Sequence, residues 1–227
     1  MINEHHEYEI VVVGGGLAGV CAAIGAARRG RRVALVQNRP VLGGNSSSEV
    51  RVWVCGATAH GVHHYARETG IMGELFVENQ YRNPEGNPYY WDLLLLEKVR
   101  AEQRLDLFLN TEVTQVEAEG PQHERRITSV TGWMSGSERS LTFTAPTFID
   151  CSGDGLVGHL AGAEHMSGRG RSGTSRGRPR SRIRTPWAAR SCSTPRTSAN
   201  RRSSWHRPSP STSPAPRSPT AASSATP

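Results

Sequence analysis

The sequence predicts an α/β protein: a parallel βαβ sheet in front, a small added β element behind it, and a disordered tail. Three observations carry this. Two short β-rich runs, residues 8–13 (YEIVVV) and 32–37 (RVALVQ), flank a glycine cluster and an alanine-rich segment. Helix-like and strand-like segments then follow one another as far as residue 151. From residue 167 the composition changes abruptly.

Residues 8–13 are apolar and end at glycines, the pattern of a strand buried on both faces. Residues 17–29 suit a helix that stops at Gly30. With residues 32–37 as a second buried strand, the unit is strand, glycine turn, helix, strand, and its crossover is right-handed. Residues 38–48 form a loop rich in Pro, Gly, Asn and Ser. Residues 49–54 (EVRVWV) alternate and are expected to be a strand. Residues 71–81 and 91–104 are expected to be helices, the second presenting Leu93, Leu94, Leu96 and Val99. Residues 105–110 and 112–117 read as strands. Residues 126–130, 141–144 and 147–151 supply a small antiparallel sheet and a returning strand.

The net charge of +7 conceals two unlike parts. Residues 1–166 hold 14 basic and 20 acidic residues, a net charge of −6. Residues 167–227 hold 13 Arg and no Lys, Asp or Glu, with 15 Ser and 9 Pro. Such a segment cannot bury a core and is expected to be disordered. The cysteines, Cys21, Cys55, Cys151 and Cys192, are too widely spaced for a metal site or a disulfide framework, so no metal is expected. The polar start is no signal peptide, and residues 10–27 are broken by glycines, so a membrane span is not expected and the cytoplasm is the default location.

Gly14-Gly15-Gly16-Leu17-Ala18-Gly19 fits G-x-G-x-x-G and sits between a strand and a helix, the context that gives the motif its meaning. In a Rossmann-like unit the first glycine makes the turn. The second lets a pyrophosphate approach the backbone, and the third lets the helix pack on the sheet. The helix N-terminus adds free N–H groups and partial positive charge. This fits a FAD- or NAD(P)-binding βαβ sheet. At the end of the second strand, where an acid ordinarily takes the ribose hydroxyls, stands Gln37, whose amide can both donate and accept.

Three further segments carry a resemblance. Residues 37–49 (QNRPVLGGNSSSE) resemble the RPxxGGN loop of FAD-dependent oxidoreductases with the glutathione-reductase-like fold. Trp91-Asp92-Leu93 through Val113 resembles the helix and strand that precede the adenine contact. Residues 147–155 (TFIDCSGDG) resemble the return strand and its terminal turn. In order and spacing the chain is similar, over about residues 8–168, to flavoproteins of the heterodisulfide-reductase-like group. The resemblance implies an FAD-dependent oxidoreductase, or a part of one, whose flavin carries the hydride chemistry. It implies that Gly14, Gly16 and Gly19 meet the pyrophosphate and that Gln37 and Arg39 lie near the ribose. Gly43, Gly44 and Asn45 would form a second backbone cradle, Val113 would touch adenine through its backbone, and Gly153 and Asp154 would close the site. A plain Gly-Gly turn and a helix cap at Asp154 are alternative roles. Some such proteins bind 4Fe–4S clusters, which the cysteines here do not support.

His60, His63, His64 and Arg67 follow the glycine-rich loop and are the candidate catalytic groups: the histidines as proton carriers, Arg67 as partner of an anion. Ordinary loop histidines are the alternative. Cys55 is expected to be a buried, inert thiol. The substrate is an unassigned small molecule, and the electron acceptor is likewise unassigned.

The tail has two readings. As a genuine segment it would bind nucleic acid through phosphate contacts. As a frameshifted translation it would replace the rest of the flavoprotein. The genetic code offers a check at residues 186–193 (PWAARSCS). Read one base earlier, they can encode a Met-Gly-small-small-apolar-apolar-apolar segment if Pro186 is CCA, Arg190 CGN and the serines TCN, and the flavoprotein family resembled has a similar segment. The expected organisation is therefore an incomplete FAD-binding domain over 1–166 and an out-of-frame tail over 167–227. An NAD(P) enzyme, or a nonenzymatic nucleotide-binding protein with a nucleic-acid-binding tail, is the alternative.

Overall fold

A computed structural model describes residues 2–55, 62, 67–121 and 124–165. The elements run β1 (Ile2–Glu7), β2 (Ile10–Val13), α1 (Leu17–Ala27), β3 (Val33–Val36), α2 (Gly70–Arg82) and α3 (Pro88–Ala101). They continue with β4 (Leu105–Phe108), β5 (Thr111–Glu119), β6 (Arg126–Met134), β7 (Arg139–Thr144), β8 (Thr147–Asp150) and α4 (Leu156–Leu160).

Two four-stranded sheets result. One is wholly parallel, in the order β4-β3-β2-β8. The second, in the order β1-β7-β6-β5, is an antiparallel meander with β1 added in parallel to β7. Side chains alternate across the parallel sheet, as the strand period requires. Val12, Val33 and Leu35 face a core shared with Val20, Ile24, Leu75, Leu95 and Val99 of the three long helices. Val11, Val13, Ala34 and Val36 face a second core shared with Val130, Leu141 and Phe143 of the meander. The order is therefore helices, parallel sheet, meander. The Rossmann-like α/β fold expected of residues 1–166, with its added β element, is present.

Local chemistry sets the helix ends. α3 begins at Pro88 rather than at residue 91, because the Asn87 side chain accepts the Tyr89 N–H at 3.0 Å and proline suits the first helical position. α1 has no side-chain cap at Gly16 and no acid in its first turn. Its buried Gly19, Ala23 and Ala27 keep the face against the sheet small. Among the described residues no helix is long and apolar enough to cross a membrane.

Two expectations fail. β1 lies in residues read only as a polar start; it finds hydrogen-bond partners along β7 from Ile2↔Arg139 to Glu7↔Thr144. Residues 49–54 do not form a strand. Arg51 has φ 60°, which breaks the extended backbone, and Val52 donates its N–H to the Asn45 carbonyl at 2.8 Å.

Candidate cofactor-binding site

Parallel strands bring the ends of β2, β3, β4 and β8 to one edge, the carboxyl edge at which open α/β sheets bind ligands. Four segments meet there: the turn after β2, the loop after β3, the start of β5 and the turn after β8.

The glycines of the first turn have separate reasons. Gly14 has φ 104°, and a Cβ there would strike the Cys151 carbonyl of the returning strand, whose N–H donates to Val13 O at 2.7 Å. A Cβ on Gly19 would strike the Gly14 carbonyl, so the helix crosses the turn at backbone contact. A Cβ on Gly15, a position that the motif leaves free, would lie 2.6 Å from Leu42 Cδ2 and 3.0 Å from Gln37 Cβ. Gly16 is different. Its φ of −65° suits any residue, and a Cβ there would meet nothing within 4 Å. The open space over Gly16 and the uncapped first turn of α1 make a place for an anion.

The second loop closes against the first. Gly43 N–H donates to Gly15 O at 2.8 Å, and Gly16 and Gly43 form an isolated parallel bridge. Gly43 has φ 103° and Gly44 φ 57°, and a Cβ on Gly44 would lie 3.1 Å from Gly16 Cα. A short 3-10 turn, Gly44–Ser46, follows. It is anchored from α3, where Trp91 Nε1 donates to Ser46 Oγ at 3.0 Å, and the buried Asp92 accepts Ser48 N–H at 3.0 Å. Sequence reasoning places Trp91 and Asp92 only as part of a helix and misses this role. An acid within an otherwise apolar helical run is the signal of a buried partner.

The predicted residues are thus placed as follows. Gly14, Gly16, Gly19, Gly43 and Gly44 form one backbone cluster. Gln37 joins it, but inwardly: it is buried, with its amide oxygen on Gly15 N–H at 2.7 Å and its amide nitrogen on Val41 O at 3.1 Å. In the fold these two hydrogen bonds bridge the turn and the loop. Arg39 is partly exposed and lies 3.6 Å from Glu49. Asn45 is exposed. Val113 is buried in the second core, with its backbone opposite Gly132. Its strand nevertheless starts at the site, where Thr111 N–H donates to Gln37 O at 2.9 Å.

In the turn after β8, Gly153 has φ 85° and Asp154 is exposed. The capping offered as an alternative role for Asp154 falls to others. Ser152 Oγ accepts Leu156 N–H at 2.9 Å, and Asp150 accepts Gly158 N–H at 3.1 Å and the Ser152 hydroxyl at 2.6 Å. Burial, and then the Asp150 charge, push the Cys151 thiol above the usual range, so it stays protonated at neutral pH. Cys55 is exposed, not buried, because residues 51–55 belong to no helix or strand. Arg67 is exposed, and His60, His63 and His64 lie outside the described residues. Among the described residues no three metal-binding side chains gather. The larger described cleft, about 550 Å³, lies at the opposite sheet edge between Glu9, Arg32, Arg126 and Pro146, and none of the described site residues lines it.

Over 40 residues the chain is 55% identical to the soluble pyridine nucleotide transhydrogenase of Ectopseudomonas mendocina (strain ymp), covering 18% of this chain and 9% of that protein. The corresponding protein of Marinobacter nauticus is 50% identical over 42 residues, again 18% of this chain and 9% of that protein. The chain thus matches only about a tenth of the length of these curated relatives. Among solved structures, Mycobacterium smegmatis Sdh1 in complex with UQ1 is 19% identical, covering 67% of this chain and 35% of that one at a TM-score of 0.45. The p-nitrophenol 4-monooxygenase PnpA from Pseudomonas putida DLL-E4 is 16% identical, covering 70% of this chain and 44% of that one at a TM-score of 0.45. A model of the FAD dependent oxidoreductase family matches residues 9–217. The chain belongs to the FAD dependent oxidoreductase family, and FAD is the cofactor of that family.

Proposed function

We propose that this chain holds FAD by its ADP half, with the pyrophosphate over Gly16, as the cofactor-binding part of an oxidoreductase acting on a small molecule. The observation that carries the reading is the empty volume at Gly16. A glycine whose φ demands no glycine, with nothing within 4 Å of its absent side chain, fits a position kept bare for a ligand. The first-turn amides of α1 would donate to the phosphates. Gly43 and Gly44 would bound the same space from the other side. Bound FAD supplies the hydride chemistry. His60, His63 and His64 are proposed to carry protons and Arg67 to hold an anionic group; a half-buried, protonated Cys151 takes no part as a thiolate.

The test is a titration of the purified protein with FAD, followed by flavin fluorescence and by thermal unfolding. Saturable quenching is expected, with about 2.7 kcal/mol of added stability at a hundredfold excess over Kd. Stabilisation by NAD+ or NADP+ but not by FAD would overturn the reading.

A further inference from the structure

Gln37 stands at the strand end where a carboxylate ordinarily takes ribose hydroxyls. Here the side chain is 4% exposed, and both of its polar atoms are engaged within the protein. Its Oε1 accepts Gly15 N–H at 2.7 Å, and its Nε2 donates to Val41 O at 3.1 Å. It lies flat on the middle glycine, since a Cβ on Gly15 would come within 3.1 Å of Gln37 Cδ. Its backbone is tied as firmly: its N–H donates to Phe108 O at 2.8 Å and its carbonyl accepts Thr111 N–H at 2.9 Å. One neutral side chain, held by two neighbouring strands, therefore joins the glycine turn to the loop that carries Gly43 and Gly44.

We infer that Gln37 is a positioning residue: its amide, acceptor at one end and donor at the other, clamps loop 41–44 against the glycine turn, and a carboxylate cannot replace it. The inference rests on the reading that the space over Gly16 takes the FAD pyrophosphate. A glutamate would keep the acceptor for Gly15 but would turn a second acceptor toward the Val41 carbonyl, in a buried place. That leaves an unmade hydrogen bond between two oxygens. The sign of the effect separates this role from ribose binding. A ribose ligand at residue 37 would serve as well or better as Glu, because a carboxylate accepts strongly from hydroxyls. A clamp would serve worse.

The experiment compares the full chain with Gln37→Glu and the near-isosteric Gln37→Met. FAD affinity is read by fluorescence quenching, and loop order by hydrogen exchange of the Gly43 amide, which donates to Gly15 O. Gln37→Glu is expected to weaken FAD binding about tenfold and to speed Gly43 exchange by a similar factor, the size of one buried unmade hydrogen bond. FAD affinity within twofold of the parent, or tighter, together with unchanged exchange, would overturn the clamp. If Gln37→Glu is too unstable to titrate, Gln37→Met decides: faster Gly43 exchange supports the clamp and unchanged exchange refutes it. Failure of the parent chain to bind FAD would refute the cofactor reading instead, and the exchange comparison would still judge the clamp.

Discussion

Replacing Gly16 with alanine is expected to weaken FAD binding while leaving the stability of the fold nearly unchanged. The fold has no objection to the change. Gly16 sits at φ −65° and ψ 177°, where alanine is comfortable, and the new Cβ would meet nothing within 4 Å. Alanine at an unstrained position gains about 0.4–1 kcal/mol from the unfolded chain, but Gly16 is the N-cap of α1, where alanine ranks well below glycine, and the two effects oppose each other. The ligand has no such compensation. With the pyrophosphate placed over Gly16 as proposed, a methyl group there would hold it off the α1 amides, at a loss of at least one charge-assisted hydrogen bond, about 1.5–3 kcal/mol. That is roughly ten- to a hundredfold in Kd. The assay pairs urea unfolding of the unliganded protein with FAD titration of the same preparations. Gly19→Ala is the control: its Cβ would strike the Gly14 carbonyl, so stability falls along with binding. A Gly16→Ala protein that binds FAD like the parent would refute the placement of the phosphates.

Four further outcomes are expected. Asp92→Ala removes the acceptor of the Ser48 N–H and should lower stability by about 1–3 kcal/mol in urea unfolding, with the loss felt in FAD binding as well. Stability should fall with acid. The Arg32 N–H and the Arg31 side chain hold the Glu9 carboxyl low, and Lys98 and Arg82 do the same for Glu78. Their pKa values are lower in the folded than in the unfolded state, so their contribution is complete above the ordinary carboxylate range, about 4.3. It is lost as pH falls through the folded values; the urea midpoints of the parent and Glu9→Gln should therefore differ at pH 6 and converge near pH 2. Peptide mapping after alkylation at pH 8 should find the exposed Cys55 modified well ahead of the half-buried Cys21 and Cys151, whose thiols burial pushes up. Finally, we propose that the coding DNA, read one base earlier after about residue 170, continues the flavoprotein; stop codons in that frame would refute this.

The glycine turn, both early strands and the helix between them are legible in the sequence because each signal is local. Strand, Gly14 to Gly19, helix and strand follow one another without a gap. What depends on remote partners is not. β1 has a polar sequence, INEHHE, and becomes a strand only because β7 offers it an edge. Residues 49–54 alternate convincingly yet pair with nothing, and Val52 and Trp53 stay exposed at 44% and 78%. Periodicity states a preference; an open sheet edge decides whether it is met. In the site, the glycines are readable individually, but the reason for Gly15 is not, since it lies in the side chains of Gln37 and Leu42. Gln37 itself is legible as a departure from an acid, and only its two hydrogen bonds show which way it faces.

The pairing of early with late strands bears on how the chain is made. β2 has β3 as an early neighbour, but its other flank waits for β8, and Gly14 packs on Cys151 just beyond it. β1 likewise waits for β7. During synthesis, at about 5–20 residues per second, roughly seven to thirty seconds separate the emergence of the glycine turn from that of the strand that completes it. The first product of translation is therefore a half-sheet with an open, apolar edge at β2. A ribosome paused before residue 150 holds a chain in need of a chaperone, and truncation upstream of β8 yields an aggregation-prone piece rather than a smaller cofactor-binding domain.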